Sequence, residues 1–193
     1  MALEEALDCY PKEIETRGGL NCLVRPLEEG DHEMYHAFFG AMQPQELIYI
    51  KHRVSDPAIL KHWCGGIDLG RILPLLAIKD ESIIGVSTLH QQLGGWKRHI
   101  GRISTHVRPD SRGKGLAMKL MEEVVDIARQ CGLERMEAEF MSGQERGMKA
   151  AAHLGFAELY RLEDYVKDMQ ALTHDYIMMG LELITDEEYA GMG

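Results

Sequence analysis

The sequence lacks any apolar run long enough to cross a membrane. A spanning helix needs roughly 20 consecutive apolar residues, and no segment approaches this length. The opening Met1-Ala2-Leu3-Glu4-Glu5 is acidic and lacks the basic-then-apolar order of a secretory signal peptide. We therefore predict a cytoplasmic protein with no membrane partner. Its 193 residues, 45% of them hydrophobic, are enough to bury one substantial core.

Cysteine is scarce, and the spacings typical of metal ligands are missing. The four cysteines form no CxxC pair, a pattern typical of reduced structural thiols: Cys9, Cys22, Cys64 and Cys131. The nine histidines form no HExxH motif or other ligand spacing. The sequence therefore predicts no metal site.

Positively charged residues are outnumbered, since 21 lysines and arginines stand against 31 aspartates and glutamates and the formal net charge is −10. This argues against nonspecific nucleic-acid binding, in which phosphates are contacted by lysine and arginine. One segment departs from this balance. A single acid, Asp110, stands there among Lys97, Arg98, Arg102, Arg108, Arg112, Lys114 and Lys119. Such a basic island suggests a local polyanion site, although solvated surface charge would give the same composition.

No repeat or low-complexity tract divides the chain. Residues 1–20 show weak periodicity and end in Gly18-Gly19, so we interpret them as an N-terminal extension and residues 21–193 as a single domain. The sequence leaves open whether this domain is a monomer or a homodimer.

Hydrophobic periodicity predicts the order of the elements. Strands are predicted at 20–25, 71–78, 82–89, 100–107, 135–140, 158–167 and 175–183, with a hairpin turn at 79–82. Helices are predicted around the stripe Tyr35, Phe38, Phe39 and Met42, from Asp56-Pro57 to Gly65, from Leu116 to Gly132, and from the capping-box pattern at Ser142 to Leu154. The order favours an α/β (α+β) fold, a mixed sheet with helices on both faces.

The segment between the strand at 100–107 and the next helix carries the chemistry. It reads Arg112-Gly113-Lys114-Gly115-Leu116-Ala117. A helix N-terminus presents unpaired amide donors, and glycines let an anion approach the backbone closely. The expected ligand is a pyrophosphate. The segment is not a P-loop, because the Gly-x-x-x-x-Gly-Lys-Ser/Thr string is missing, and a dinucleotide fingerprint would need glycine at Met118.

The same segment resembles the GCN5-related N-acetyltransferase (GNAT) superfamily. Arg112-x-x-Gly115-x-Ala117 matches its Arg/Gln-x-x-Gly-x-Gly/Ala signature, and Thr105-His106-Val107 resembles the end of its fourth strand. Leu154-Gly155-Phe156 resembles its usual Leu-Gly-Phe, and the likeness runs from about Leu20 to Leu183. The resemblance implies a mostly antiparallel central sheet of about six to seven strands.

The resemblance also implies acetyl-CoA as the acyl donor and an amine, on a small molecule or a protein, as the acceptor. The backbone of Thr105, His106 and Val107 would pair with the pantetheine arm, and Gln144 stands where the family often has a cofactor-contacting asparagine. The pyrophosphate would be held by the loop and first helical turn: Arg112, Gly113, Lys114, Gly115, Leu116, Ala117 and Met118.

An amine that attacks a thioester must first lose its proton, because its pKa is about 10.4. By position before Leu154-Gly155-Phe156, Glu139 falls where many relatives carry a glutamate base. Glu137 lies on the same strand face about 7 Å away. Two close, partly buried carboxylates raise the pKa of one of them, which suits a base. A solvent-facing acidic strand is the alternative, and a backbone amide between Ile103 and Val107 is expected to meet the oxyanion.

One position departs from the family pattern. Relatives often carry a tyrosine that protonates the leaving thiolate, where this chain has Ala151. His153, Tyr160 or Tyr165 would have to replace it, or the thiolate leaves unaided, since a thiol pKa of about 8.5 permits this. Because this tyrosine is missing, a second hypothesis remains, in which the chain is a regulatory module that binds acyl-CoA without catalysing transfer. A nucleotide-binding protein of another fold is a third hypothesis.

Overall fold

The computed structural model describes residues 2–43, 47, 56–168 and 170–183. Its strands are β1 (Lys12–Glu15), β2 (Asn21–Pro26), β3 (Ile72–Lys79), β4 (Ser82–His90), β5 (Ile100–Val107), β6 (Arg135–Met141), β7 (Ala157–Lys167) and β8 (Thr173–Glu182). Its helices over these ranges are α1 (Ala2–Leu7), α2 (His32–Gly40), α3 (Pro57–Gly65), α4 (Leu116–Gln130) and α5 (Glu145–His153).

All eight strands form one sheet in the order β1-β2-β3-β4-β5-β6-β8-β7. Every neighbouring pair is antiparallel except β5 and β6, which run parallel. The prediction of a mixed, mostly antiparallel sheet flanked by helices is confirmed. The sheet has one strand more than the sequence led us to expect, because β1 lies within residues 1–20.

The N-terminal segment packs on the sheet and on α4. Strand β1 pairs with β2, and Ala6 and Ile14 are buried in the main core. The buried Glu123 of α4 holds this segment through two side chains. The Tyr10 hydroxyl donates a hydrogen bond to the Glu123 carboxylate at 2.8 Å, and Lys12 forms an ion pair with the same carboxylate. Residues 2–15, which we treated as an extension, therefore share the core of the remaining chain.

Two apolar cores cover the two faces of the sheet. The larger core lies between the sheet and α4, with contributions from α1 and α5. The smaller one lies between the opposite face and helices α2 and α3. Gly85 of β4 lets α4 approach closely, since a Cβ there would stand 2.9 Å from Leu120 and 3.1 Å from Leu116. Because Gly85 is opposite Val107 in the ladder, α4 begins directly against the end of β5.

The local sequence determines most element ends. The predicted cap of α3 is confirmed, because the Asp56 carboxylate accepts the Ala58 amide at 2.9 Å and Pro57 is the first helical residue. The hairpin between β3 and β4 is also confirmed. Its two turn residues, Asp80 and Glu81, have φ of 48° and 56°, as a tight hairpin turn requires.

One predicted boundary is wrong. Helix α5 begins at Glu145 rather than at Ser142, because the Ser142 hydroxyl accepts the Asp175 amide of β8 at 3.1 Å and does not cap the helix. Gln144 occupies the N-cap position instead. The local sequence has the capping-box pattern, but the Ser142 hydroxyl instead bonds to a residue of β8 that lies 33 positions away in the chain. A local pattern cannot reveal such a partner.

Cys9, Cys22, Cys64 and Cys131 are free thiols. None of the described helices has the length and apolar character needed to cross a lipid bilayer. Over the same residues, no group of three or more histidine, cysteine, aspartate or glutamate side chains is arranged to hold a metal ion.

Candidate functional site

The glycine-rich loop after β5 leads directly into α4. Gly113 and Gly115 have φ of 75° and 80°, a region that side chains other than glycine rarely adopt. Gly115 is the N-cap, and no side chain caps the first helical turn. The amides of Leu116, Ala117 and Met118 therefore lack helical acceptors, and an anion can accept their hydrogen bonds.

The basic side chains around the loop are partly engaged in holding its shape. The Arg112 Nε donates to the Val107 carbonyl at 2.9 Å and links the loop to the end of β5. The Lys114 Nζ donates to the Asp110 carbonyl at 3.1 Å. The Arg108 Nε donates to the Asp110 carboxylate at 2.8 Å, and this bond is the main reason that the pKa of Asp110 is lowered.

Strands β5 and β6 separate halfway along their length. They are paired from Ile100 opposite Arg135 to Ile103 opposite Ala138, and the ladder ends there. On its other edge β5 stays paired with β4 through Val107. In the described part of the chain, no strand pairs with the β6-side edge of residues 104–107. That edge can accept an extended ligand as an additional strand.

His106 lies on this exposed edge with its ring partly buried. Burial, and to a lesser degree the nearby charge of Arg112, lowers the pKa of His106 to about 4. The ring is therefore neutral at physiological pH and adds no positive charge to the loop. The neighbouring Thr105 hydroxyl hydrogen-bonds to Ser87 of β4 at 2.7 Å. Backbone groups, rather than these side chains, are the ones available to a ligand.

Glu137 and Glu139 project from β6 on the side opposite α4, since the intervening Met136 and Ala138 are buried in the main core. Their side chains are 14% and 12% exposed. Glu137 pairs with Lys97 at 3.2 Å, and Glu139 pairs with the Arg102 Nη1 at 3.1 Å. Each carboxylate is thus compensated by its own cation.

Arg102 is a residue whose place in the site the sequence did not reveal. It stands opposite Glu137 in the parallel ladder, and its side chain is 41% exposed. Its Nε is buried without any hydrogen-bond partner among the described residues. A buried donor without an acceptor is costly, and the exposed part of the same guanidinium is open to an anionic group of a ligand.

Together these features form a cleft where β5 and β6 separate, with the glycine-rich turn at one end and the two ion-paired carboxylates at the other. The model of the acetyltransferase (GNAT) family matches residues 32–156 of the chain, a span that contains the loop, the separating strands and both glutamates. The chain belongs to the GNAT family. The resemblance inferred from Arg112, Gly115 and Ala117 is thereby confirmed.

Known proteins similar to this GNAT chain are acyltransferases by name. The L-amino acid N-acyltransferase MnaT of Escherichia coli is 36% identical over 88 residues, which are 43% of this chain and 49% of that protein. The chain thus matches about half the length of this curated relative.

Solved structures extend the similarity to the whole fold of this GNAT chain. A ribosomal-protein-S5-alanine acetyltransferase from Vibrio fischeri has a TM-score of 0.76 at 16% identity, covering 89% of this chain and 96% of that one. The structure of yncA from Salmonella typhimurium with its cofactor acetyl-CoA has a TM-score of 0.73 at 20% identity, covering 86% of this chain and 96% of that one. At these identities, the similarity shows the fold alone.

The structure places the remaining predicted residues of this GNAT chain as follows. The Gln144 Oε1 accepts the Met141 amide at 2.8 Å, so only its NH₂ group is left for a cofactor. His153 is exposed in the last turn of α5, with its Nδ1 2.7 Å from the Lys149 carbonyl. Ala151 is fully buried in the main core. These three residues lie on α5 or at its start, whereas Glu139 lies on β6.

A tyrosine cluster lies beside the carboxylates and was only partly foreseen. The Tyr160 and Tyr165 rings each lie 6.1 Å from the ring of Tyr176, which is opposite Met141 of β6 in the ladder. Burial, followed by the interaction with Tyr160, raises the pKa of Tyr176 to about 12. Its hydroxyl is therefore protonated at neutral pH. The sequence suggested Tyr160 and Tyr165 but offered no pattern that distinguished Tyr176 from an ordinary strand residue.

Proposed function

We propose that this GNAT chain transfers the acetyl group of acetyl-CoA to an amine by direct attack of the amine on the thioester. The observation that carries the proposal is the separation of β5 from β6, which leaves a free strand edge between the glycine-rich turn and the carboxylates. In this arrangement the amides from Gly113 to Met118 bind the pyrophosphate. The backbone of residues 105–107 pairs with the pantetheine arm, which directs the thioester into the cleft.

The proposed reaction begins with removal of a proton from the bound amine. Glu139, nearly buried on the cleft side of β6, accepts this proton directly or through a water molecule. The nitrogen then forms a bond to the acetyl carbon, and a backbone amide of residues 103–107 stabilises the resulting oxyanion. Collapse of this intermediate breaks the carbon–sulfur bond and releases CoA as a thiolate, and the second proton of the nitrogen passes to the thiolate, directly or through water, which leaves a neutral amide and the CoA thiol.

The thiolate can leave without a protein acid, because its conjugate thiol has a pKa of about 8.5. Where a proton is supplied, the tyrosine pair Tyr160 and Tyr176 is better placed than His153. Tyr176 lies on β8 next to β6, and Tyr160 contacts it from β7, whereas the Nδ1 of His153 is 2.7 Å from the Lys149 carbonyl of its own helix. The proposal therefore assigns His153 no role in catalysis.

For the acceptor, we propose an α-amino acid with a free carboxylate. Arg102 offers a partly exposed guanidinium with one unsatisfied donor, and Glu139 stands 3.1 Å from it. A zwitterion places its carboxylate and its amine only a few ångströms apart, which matches such a neighbouring arginine and glutamate. The name of the E. coli relative, an L-amino acid N-acyltransferase, supports the same class.

The test is the release of free thiol from acetyl-CoA with matched acceptors. L-amino acids are compared with their carboxamides, which keep the amine and lose the carboxylate charge. We expect turnover of the free acids, about ten-fold or more weaker turnover of the amides, and loss of this difference in Arg102→Gln.

Other outcomes separate the parts of the proposal. Preference for amides or peptides would contradict the amino-acid acceptor and favour a protein acceptor, such as the ribosomal-protein alanine in the name of the Vibrio fischeri neighbour. Tight CoA binding without thiol release on any acceptor would contradict enzymatic transfer. It would support the acyl-CoA-binding regulatory module instead.

A further inference from the structure

The turn between β1 and β2 touches the glycine-rich loop, although the two are separated by almost a hundred residues. The turn comprises residues 16–20, and its Gly18 amide donates to the Lys114 carbonyl at 3.3 Å. On the other side of the contact, a Cβ at Gly115 would lie 3.8 Å from the Arg17 Cβ and 3.9 Å from the Thr16 Cβ. One side of the loop therefore rests on this turn.

Gly18 has no space for a side chain. A Cβ at this position would stand 2.8 Å from both the Cα and the carbonyl oxygen of Lys114, closer than real Cβ contacts. These are backbone atoms and cannot rotate away. Gly18 itself does not have a positive φ, so its own conformation would accept alanine. The approach of the loop, and not the conformation of the turn, requires glycine here.

The turn is rigid enough to act as a support. The Thr16 amide donates to the Leu20 carbonyl at 2.9 Å, and the buried Thr16 hydroxyl accepts the Leu20 amide at 3.2 Å. Leu20 is buried in the main core. The preceding Tyr10 and Lys12 bind the carboxylate of Glu123 in α4, the helix that follows the loop. The N-terminal segment thus contacts the loop at Gly18 and the following helix α4 at Glu123.

Arg17 adds a positive charge at the same place. Its Cβ lies next to the N-cap of α4, and its side chain forms no ion pair with any described carboxylate. By contrast, the nearby Arg108 is held by Asp110. An arginine beside a helix N-terminus is well suited to bind phosphate oxygens, because its charge and donors act together with the helix amides.

We propose that the β1–β2 turn is part of the cofactor site, with Gly18 positioning the glycine-rich loop and Arg17 binding the phosphates of acetyl-CoA. This inference rests on the proposed function, since it presumes that the loop binds CoA. It adds a segment outside residues 32–156, the span that the family model matches. The N-terminal strand would then serve the binding of the donor and not the choice of the acceptor.

The test compares two variants of the full-length chain with matched controls. Gly18→Ala forces the loop away from the turn, and Arg17→Gln removes the charge at an exposed position where folding is not at risk. Gly94→Ala is the control for the glycine, since a Cβ there would meet nothing within 4 Å. Arg129→Gln, at the far end of α4, is the control for the charge.

We measure the Kd of CoA by calorimetry and the KM of each substrate. Both variants are expected to weaken CoA binding and raise the KM of acetyl-CoA by about ten-fold, with the acceptor KM and both controls unchanged. A general loss of structure would raise both KM values or lower the melting temperature without this selectivity. The inference would be overturned if Arg17→Gln and folded Gly18→Ala both bound CoA as tightly as the unaltered chain. The proposed function would still stand in that case. If the unaltered chain binds no CoA, the proposed function fails with it.

Discussion

At the scale of single residues, the two glutamates of β6 differ in their neighbours. Glu139 pairs with Arg102, which the proposed function assigns to the acceptor carboxylate, whereas Glu137 pairs with the exposed Lys97 of the β4–β5 connection. In the proposed function, Glu139 is therefore the carboxylate closer to the acceptor. The difference can be measured by changing one glutamate at a time.

Glu139→Gln is expected to lower kcat by about a hundred-fold, because the amine loses the group that accepts its proton. Glu137→Gln serves as the matched control and is expected to lower kcat less than about ten-fold. Thiol release at saturating acetyl-CoA and acceptor gives both values, and the Kd of CoA should not change in either variant. A larger loss in Glu137→Gln would reverse the assignment.

The Arg25–Asp31 ion pair is a second residue-scale feature, and it concerns stability. Arg25 donates two hydrogen bonds to the buried Asp31, at 2.6 and 2.7 Å, and the Glu28 amide donates a third. Burial alone would raise the pKa of Asp31, but these hydrogen bonds outweigh it and the pKa is lowered. A lowered folded-state pKa means that the stabilisation is present at neutral pH and is lost as the pH falls below about 4.

Asp31→Ala is expected to reduce the free energy of unfolding by about 3 kcal/mol at pH 7, because it leaves the mostly buried Arg25 with only the Pro26 carbonyl and the exposed, more distant Glu28 carboxylate as partners. The variant should also lose less further stability between pH 5 and pH 3, a range set by the ordinary carboxyl pKa of about 3.9. Urea unfolding at a series of pH values measures both effects. Asp126→Ala, which breaks the exposed pair with Arg129, should change stability by no more than about 0.5 kcal/mol. Equal effects of the two substitutions would contradict this account.

The sequence predicted some of these residues and could not predict others. The glycine-rich turn is a local pattern, so Gly113 and Gly115 were identified from their spacing alone. Arg102 acquires its place from the parallel register that sets it opposite Glu137, and no local pattern specifies that register. Tyr176 likewise depends on the pairing of β8 with both β6 and β7.

At the scale of elements, the N-terminal strand and helix are held to α4 by one buried carboxylate. Glu123 accepts the Tyr10 hydroxyl and pairs with Lys12 and Lys119. Burial would raise the pKa of Glu123, but its partners lower it, so the group is charged at neutral pH. Removing it leaves Tyr10 and Lys12 without this acceptor, while Lys119 keeps its pair with Glu122.

Glu123→Ala is expected to reduce the free energy of unfolding by about 3 kcal/mol and to increase hydrogen exchange in α1 and β1. Glu122→Ala is a matched control on the same helix turn, since Glu122 pairs only with Lys119 among the described side chains and is partly exposed. Its effect should stay near 0.5 kcal/mol. Unchanged exchange in β1 after loss of Glu123 would show that other contacts hold the segment.

Elements with strong periodicity or local caps were predictable, and those made by long-range pairing were not. Helix α4 has its apolar stripe, and α3 has its Asp56-Pro57 start, so both were identified correctly. Strand β1 has only four residues and is defined by its pairing with β2. The same reason explains the start of α5, where Ser142 bonds to β8 instead of capping the helix.

At the scale of the whole molecule, ligand binding couples the glycine-rich turn to global stability. CoA at about a hundred times its Kd should add about 2.7 kcal/mol to the free energy of unfolding. For a chain of this size, the melting temperature would then rise by about 5–10 °C. ATP and NAD at equal concentrations should raise it less, and thermal unfolding with each ligand measures the order. A larger shift with ATP or NAD would favour a nucleotide-binding protein.

Because β5 and β6 are parallel, the residues proposed to bind the donor are close together in the chain and can be kept while other segments are exchanged. Parallel neighbours require a crossover, and here the crossover is the glycine-rich turn plus α4. In the proposed function, most of the donor site therefore lies in one contiguous module, residues 100–144, and the β1–β2 turn supports it from outside. The β7–β8 hairpin, which carries the tyrosine cluster next to β6, lies outside that module. Grafting the hairpin of a homologous chain should redirect acceptor selectivity while donor affinity is inherited unchanged.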